Sequence, residues 1–594
     1  MAEDADLLAK FTALLASPDP IALPRQTLLG AVSHYISTLP LAELRPLLKV
    51  VIQSPHLWDD VKDRGDSRAA VKLGARGALD RLKSTPGPSR WFRRNDSLSD
   101  WLDEAYGTTA EAEGGGKLHV MVALLVVDPA TGVEQGKAQL WKGKERAKAE
   151  DEVIMGAAGR LHEAEKGASG KEDVGLLCEV LEAVDGMRVR VLDTNAASRT
   201  ILSSLYLRLA DSPSSVASTI SRTSPEILSR AVARLFGVLN DGDVETRGQG
   251  WNEMRQFCIQ MRGVISSFAR QKTALFAFLV PSSTTLSILL QNDPPSGSTD
   301  RPHRTSPSAD IASESLHTLS AFASILDLSQ GGLEGYHRIL HGMIDILVAS
   351  AGPTGVKDLL TRAPAPDVAS LAEGAWWMTF GESVINQVDQ WGFETVLEPM
   401  IQRFISDNSL RSSFEAAHSL RLATLQAASK TLDTNRSDRI LVQRDLLAYA
   451  DLLIQQYTES LITSDQFRSA YPLIVEAASS HSPELVNTCL RQLRLAKAPT
   501  TSAEADAFGH SRRMVIIASA PHIPLHRLRS YLDGLAQDIV ATPADSSHRV
   551  ELAGAAFRMV MHDLPDGPRR EGMEWWTSWR GVFDSGARSV DAKL

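Results

Sequence analysis

Residues 438–491 restrict the fold more than any other stretch of this chain. Leu446, Ala450, Leu453, Ile454, Tyr457 and Leu461 recur at i, i+4, i+7, i+8, i+11 and i+15, which is one face of a long α-helix. A break at 463–465 precedes a second helical pattern with Phe467, Ala470, Ile474 and Ala477 inward. A third helix opens at Ser482-Pro483-Glu484. There Ser caps, Pro suits the first helical position, and Glu meets the positive end of the helix dipole. None of the three helices can bury its stripe alone, and short turns make neighbours antiparallel. Helices arranged in this way form an α-solenoid.

The same grammar runs through most of the chain. Leu7, Leu8, Phe11, Leu14 and Leu15 form an early stripe that Pro18 and Pro20 end, and further helices are predicted over 28–36, 41–52 and 61–83. Residues 1–83 are therefore read as N-terminal helical repeats. Residues 84–116 read as an irregular insert or linker. They mix charge and aromatics at Arg90-Trp91-Phe92-Arg93-Arg94 and end in EAEGGG at 111–116. Helical repeats are expected over 117–290. Within them, 119–127 and the alternating MRVRVL of 187–192 admit a strand reading, but helices are preferred throughout. Residues 291–308 are rich in Pro and Ser and lack periodicity, so they are expected to be a disordered loop in which Ser306-Pro307 is a candidate phosphosite. Residues 309–594 return to a C-terminal helical array.

Two turns carry a resemblance. Asn240-Asp241-Gly242 ends one helix, and Asp243-Val244-Glu245-Thr246-Arg247 begins the next, with Trp251, Met254 and Cys258 following. Asp545, Arg549 and Val550, followed by Leu552, Ala556, Phe557 and Val560, repeat the pattern in part, and Ser482 to Val486 echoes it without the Arg. A helix, an Asp-bearing turn, then Val and Arg at the head of a second helix resembles the HEAT/armadillo superfamily of helical repeats. The resemblance implies an all-α superhelix of antiparallel helix pairs in units of roughly 35–45 residues. It also implies a structural role for the Asp, which caps the helix and pairs with the Arg across the turn.

Composition narrows the function classes. An apolar fraction of 43% and a charged fraction of 23% suit a folded chain, and 594 residues exceed one compact core. A net charge of −10 argues against a nucleic-acid binder that uses its whole surface. Three scattered cysteines, Cys178, Cys258 and Cys489, do not make a disulfide framework and point to a reducing compartment. The acidic start, Met1-Ala2-Glu3-Asp4, lacks a signal peptide's basic region, and no apolar run reaches the roughly 18 residues of a membrane span. The chain is therefore expected to be soluble and cytoplasmic, or else nuclear.

Chemical motifs are weak. Gly167-Ala168-Ser169-Gly170-Lys171 lacks the first Gly of a phosphate loop and has Glu172 where Ser or Thr would hold magnesium. His162-Glu163 is followed by Lys166 rather than a second His, so the zinc-protease pattern fails. His337, His341 and Asp345 share a helical face and could hold zinc, but a solvent face is the preferred reading. No GxSxG elbow occurs. No catalytic residue, metal site or cofactor is assigned.

Partner surfaces remain. Adjacent tryptophans on a helix point about 100° apart, so one of Trp376 and Trp377, and one of Trp575 and Trp576, could face a groove or a partner, the other reading being core burial, with Trp575 to Trp579 capping the terminal core of the array. Trp391 joins them as a candidate, and Arg512 and Arg513 are candidates for an acidic partner. The function expected is a non-enzymatic, protein-binding scaffold or adaptor, as a subunit or assembly factor of a multiprotein complex. The alternatives are a solenoid regulator, such as a nucleotide exchange factor or co-chaperone, and then a nucleic-acid-associated factor.

Overall fold

The structure, a computed structural model, describes residues 2–60, 63–84, 98–128, 144–165, 174–210, 224–240, 244–265, 271–292, 307–323, 334–430, 436–499, 502–543 and 546–584. Among these residues every regular element is helical. The chain divides into two compact units, Met1–Gly355 and Val356–Leu594. That boundary falls within the C-terminal array expected from sequence and not at 291–308, of which 293–306 lie outside the described residues, Ser306 included.

The second unit shows the building rule most plainly. Long helices of one row pack on one another across the elements between them. Leu371–Val384 meets Arg411–Lys430, which meets Ser464–His481, which meets Ser502–Ala518, which meets Ser547–Arg558. A second row runs beside it, with Arg436–Thr458 on Pro483–Leu495 and Leu525–Val540 on Asp566–Asp584. This is the helix-pair stacking of HEAT and armadillo-type α-solenoids. The stripe read from 438–491 faces inward as expected, with Leu446, Ala450, Leu453, Phe467, Ile474 and Ala477 all buried.

The helix starts are set locally. Thr463 and Gln466 form a reciprocal capping box, and Ser482 Oγ accepts from Leu485 N at 3.1 Å ahead of Pro483. Asp243 and Asp545 of the HEAT-like turns lie outside the described residues. Arg549 of the second turn is buried and donates to the Val582 carbonyl at 2.9 Å, so it ties successive helices together.

The first unit obeys the same rule. Pro225–Asn240 packs on Gln271–Asn292, and Val244–Ile265 packs on Pro307–Phe322. One phenylalanine from each of these four helices joins a continuous ladder. Phe236, Phe257, Phe278 and Phe322 are buried, with successive ring centroids 6.1, 5.9 and 5.7 Å apart. Earlier in the chain, 117–195 is helical where described. Residues 187–192 form a short helix, Gly186–Val189, followed by a turn. Lys117–Val127 is enclosed on every side from His119 to Leu125, which accounts for its lack of polar residues.

The predicted insert at 84–116 needs correction. Leu98–Glu111 is a helix that buries Trp101 and Tyr106 against its neighbours, and only 85–97, including Arg90 to Arg94, lie outside the described residues. Its EAEGGG end is a packing seam. A Cβ on Gly116 would sit 2.2 Å from Trp58 Nε1, and Gly114 adopts φ 150, where a Cβ would come 2.9 Å from the Ile52 carbonyl oxygen. Composition suggested flexibility, whereas the glycines are there because two backbones and an indole come too close for side chains.

Glu334–Leu360 is long and apolar enough to cross a membrane by length and composition. Tyr336, Ile339, Met343 and Leu347 are buried in the protein, and the helix is broken at Gly352, where φ 54 and ψ −142 precede Pro353.

The ladder predicts a large local cost. Phe257→Ala removes the ring that meets Phe236 edge-on and stacks on Phe278, and should destabilise the first unit by about 3–5 kcal/mol. Urea unfolding followed by circular dichroism measures it.

Candidate partner-binding surfaces

The tryptophans on Leu371–Val384 do not face a partner. Trp376 and Trp377 are 2% and 0% exposed. They meet each other edge-on at 5.0 Å, and Trp376 stacks on Phe380 at 5.7 Å. This corrects the expectation that two adjacent indoles cannot share one seam. The chain from Ile385 through Phe404 folds back over the helix, with Gly374 making room for Phe404 and Gly381 for Leu397. A third wall therefore covers the face that two rows would leave open. Trp377→Ala is expected to lower the melting temperature of the second unit by several degrees, as a truncated core does.

Trp391 is exposed at 38%. Lys357 Nζ lies 5.4 Å above its ring and pairs with Asp389 at 2.7 Å, so one face of the indole is already occupied. Trp575 is fully buried, which corrects its assignment as a partner contact. Trp576 is half-buried and packs on Phe557 at 5.1 Å and on Phe583 at 5.6 Å. These rings knit Ser547–Arg558 to Asp566–Asp584.

Beside that aromatic cluster lies a surface the sequence search missed. Val550, Phe557 and Met561, at i, i+7 and i+11, stand 63%, 40% and 37% exposed, and Met573 on the next helix is 37% exposed. Val550 and Phe557 belong to the HEAT-like turn pattern, and the inward Leu552, Ala556 and Val560 interleave with them. An amphipathic reading looks for one apolar face, and this helix has two.

Arg512 and Arg513 lie half-buried on Ser502–Ala518. Arg512 Nη1 donates to the Arg494 carbonyl at 3.1 Å, at the end of Pro483–Leu495. Arg494 in turn lies 5.9 Å over the Tyr531 ring.

Other polar groups have structural partners. His337 is half-buried, while His341 and Asp345 are exposed on one helix, and among the described residues no group of three or more His, Cys, Asp or Glu could hold a metal. Burial pushes the thiols of Cys178, Cys258 and Cys489 up to about 12, so none is an activated nucleophile. A pocket of about 290 Å³ between Leu118, Met121 and Gly156 is rimmed by Lys117 and Glu152, which pair with each other at 2.5 Å.

Two buried histidines carry a pH dependence. His119 accepts from Arg68 at Nδ1 (3.1 Å) and stacks under Trp58, while Glu179 neutralises Arg68 at 3.2 Å and Lys72 at 2.8 Å. Desolvation, then the Arg68 charge, brings the His119 pKa down to about 2. Desolvation, then Arg411, brings His418 down to about 4, and its Nδ1 lies 2.9 Å from the Tyr449 hydroxyl. Both folded-state values lie below that of an unfolded histidine, so the unfolded chain takes up protons first as pH falls through about 6.5. Stability is full above that pH and is lost on descent, by about 2 kcal/mol per histidine at pH 5. The urea midpoint should be lower at pH 5 than at pH 7.5, and His119→Gln should narrow the gap.

No family model and no curated protein matches this chain. Among solved structures it is similar to a homology model of the full-length AP-3 complex in an intermediate open conformation. There the identity is 12%, with 98% of this chain and 91% of that one covered at a TM-score of 0.32. It is also similar to yeast importin-beta, with 10% identity, 98% and 80% coverage and a TM-score of 0.26. A circular tandem repeat protein gives 13% identity, 99% and 98% coverage and a TM-score of 0.21. Scores of this size mean poor superposition over the whole chain, and no function transfers from them.

Proposed function

We propose that this chain is a non-enzymatic scaffold or adaptor that holds a protein partner, as a subunit or assembly factor of a larger complex. The observation that carries this reading is the exposed apolar set Val550, Phe557 and Met561, at i, i+7 and i+11 along one helical run, with Met573 also exposed on the next helix, on elements whose other faces are packed. Such a ridge costs about 25 cal/mol for every Å² of apolar surface left in water, and covering it with a partner recovers that cost. Stacked helix pairs hold the ridge rigid, so little ordering entropy is spent on binding. Three free cysteines, all buried, fit a reducing compartment, and the cytoplasm is the place we assign.

The test is affinity capture from the native cell with the tagged full chain and with Val550→Glu/Met561→Glu. Both side chains are exposed, so the variant should keep the melting temperature of the parent. A defined protein set, depleted about ten-fold in the variant, is expected from the loss of a hot-spot contact. An identical set from both proteins overturns the assignment of the ridge.

A further inference from the structure

A second surface in the same unit has the opposite character. Arg491 and Arg494 lie exposed on Pro483–Leu495, Lys497 follows at its end, and Arg512 and Arg513 approach from Ser502–Ala518. The bond from Arg512 Nη1 to the Arg494 carbonyl fastens the two helices at this point. None of the five cations has a carboxylate within 4.0 Å among the described residues. Arginines nearby are treated differently. Arg411 pairs with Glu415, Arg421 with Glu398, Arg527 with Glu484 and Arg529 with Asp533.

Arg494, Arg512 and Arg513 act on one another as like charges, with Asp538 the opposing charge at Arg512, in a chain whose net charge is −10. At Arg512 desolvation lowers the pKa first and the neighbouring Arg513 charge lowers it next, Asp538 opposes, and Arg494 adds a smaller push downward. An arrangement of this kind costs stability unless an anion completes it. Leu495, between Arg494 and Lys497, is 74% exposed and offers an apolar contact in the middle of the charge.

We propose that the Arg491, Arg494, Lys497, Arg512 and Arg513 patch binds an acidic peptide segment of a partner protein, one whose carboxylates engage the guanidinium groups and whose apolar side chain covers Leu495. Guanidinium forks match carboxylates in bidentate geometry. A nucleic acid fits less well. Tyr531 lies under Arg494 with its hydroxyl bonded to the Ile516 carbonyl at 2.6 Å, so it gives no stacking platform for a base. A long polyanion would also meet the negative field of the rest of the chain. This inference deepens the scaffold reading but rests on different residues, so either can fail alone.

The experiment measures fluorescence anisotropy of a labelled (Glu-Glu-Leu)₅ peptide with the full-length chain. Arg491→Glu/Arg494→Glu is compared with Lys497→Glu and with Arg570→Glu, a control at an exposed arginine already paired with Glu574 at 3.1 Å. Saturable binding to the parent is expected, weakened about ten-fold or more by the double variant and about three-fold by Lys497→Glu, and unchanged by the control. Raising the salt from 50 to 300 mM should weaken it by about five-fold, as screening shortens the reach of the charges. No saturable binding to the parent, equal binding by the parent and the two patch variants, or tighter binding of a U15 RNA through the same residues would each overturn the proposal. Circular dichroism melts of all variants separate lost binding from lost folding, and Lys497→Glu keeps the question decidable if the double variant melts early. If the proteins captured through the Val550 ridge persist in the patch variants while the peptide fails, the scaffold reading stands and this one falls.

Discussion

Everything in this molecule depends on one constraint, which is that no helix covers its own apolar stripe. A helix packed only on its sequence neighbour would leave a large part of that stripe wet, so helices also pack on others two or three positions along. In the second unit this joins Leu371–Val384 to Ser547–Arg558 through three intermediate helices of one row. In the first unit the same need is met by the phenylalanine ladder, in which each ring of Phe236, Phe257, Phe278 and Phe322 fills the space its neighbour leaves. Burial of this kind passes from pair to pair, so stability is shared out along each array rather than held in one centre.

Where the arrays depart from regularity, the cause is a close approach or a buried charge. Gly116 against Trp58, Gly374 against Phe404 and Gly381 against Leu397 are places where a methyl group would collide. Asp128, Arg146 and Glu150 are buried together, with Tyr106 donating to Asp128 at 2.8 Å and Arg188 reaching Glu150 at 2.8 Å. That network binds four helical segments and satisfies its charges internally, as charge removed from water must be. The Arg494 and Arg512 surface has no carboxylate paired within 4.0 Å among the described residues.

The two surfaces assigned to partners are complementary in character. One is an apolar ridge on the last helices of the second unit, and the other is a basic patch on helices before it. A scaffold that uses both gains affinity from desolvation at the first and orientation from charge at the second.

The sequence alone determined the helical class, the solenoid grammar and the inward stripes, because the period of the apolar residues and the caps at Thr463 and Ser482 are local properties. It also placed Arg512 and Arg513 as a basic cluster. It could not decide which tryptophans were covered. Trp376 and Trp377 are buried on a helix that packs on Arg411–Lys430 and is also met by the later segment from Ile385 to Phe404, and local periodicity cannot register such a third wall. The glycines at 114–116 misled for the same reason, since a glycine required by Trp58 and a glycine in a free linker are the same letter. Tertiary structure also selected which apolar residues on Ser547–Arg558 face out, because both of its faces carry apolar side chains and only packing against the neighbouring rows distinguishes them.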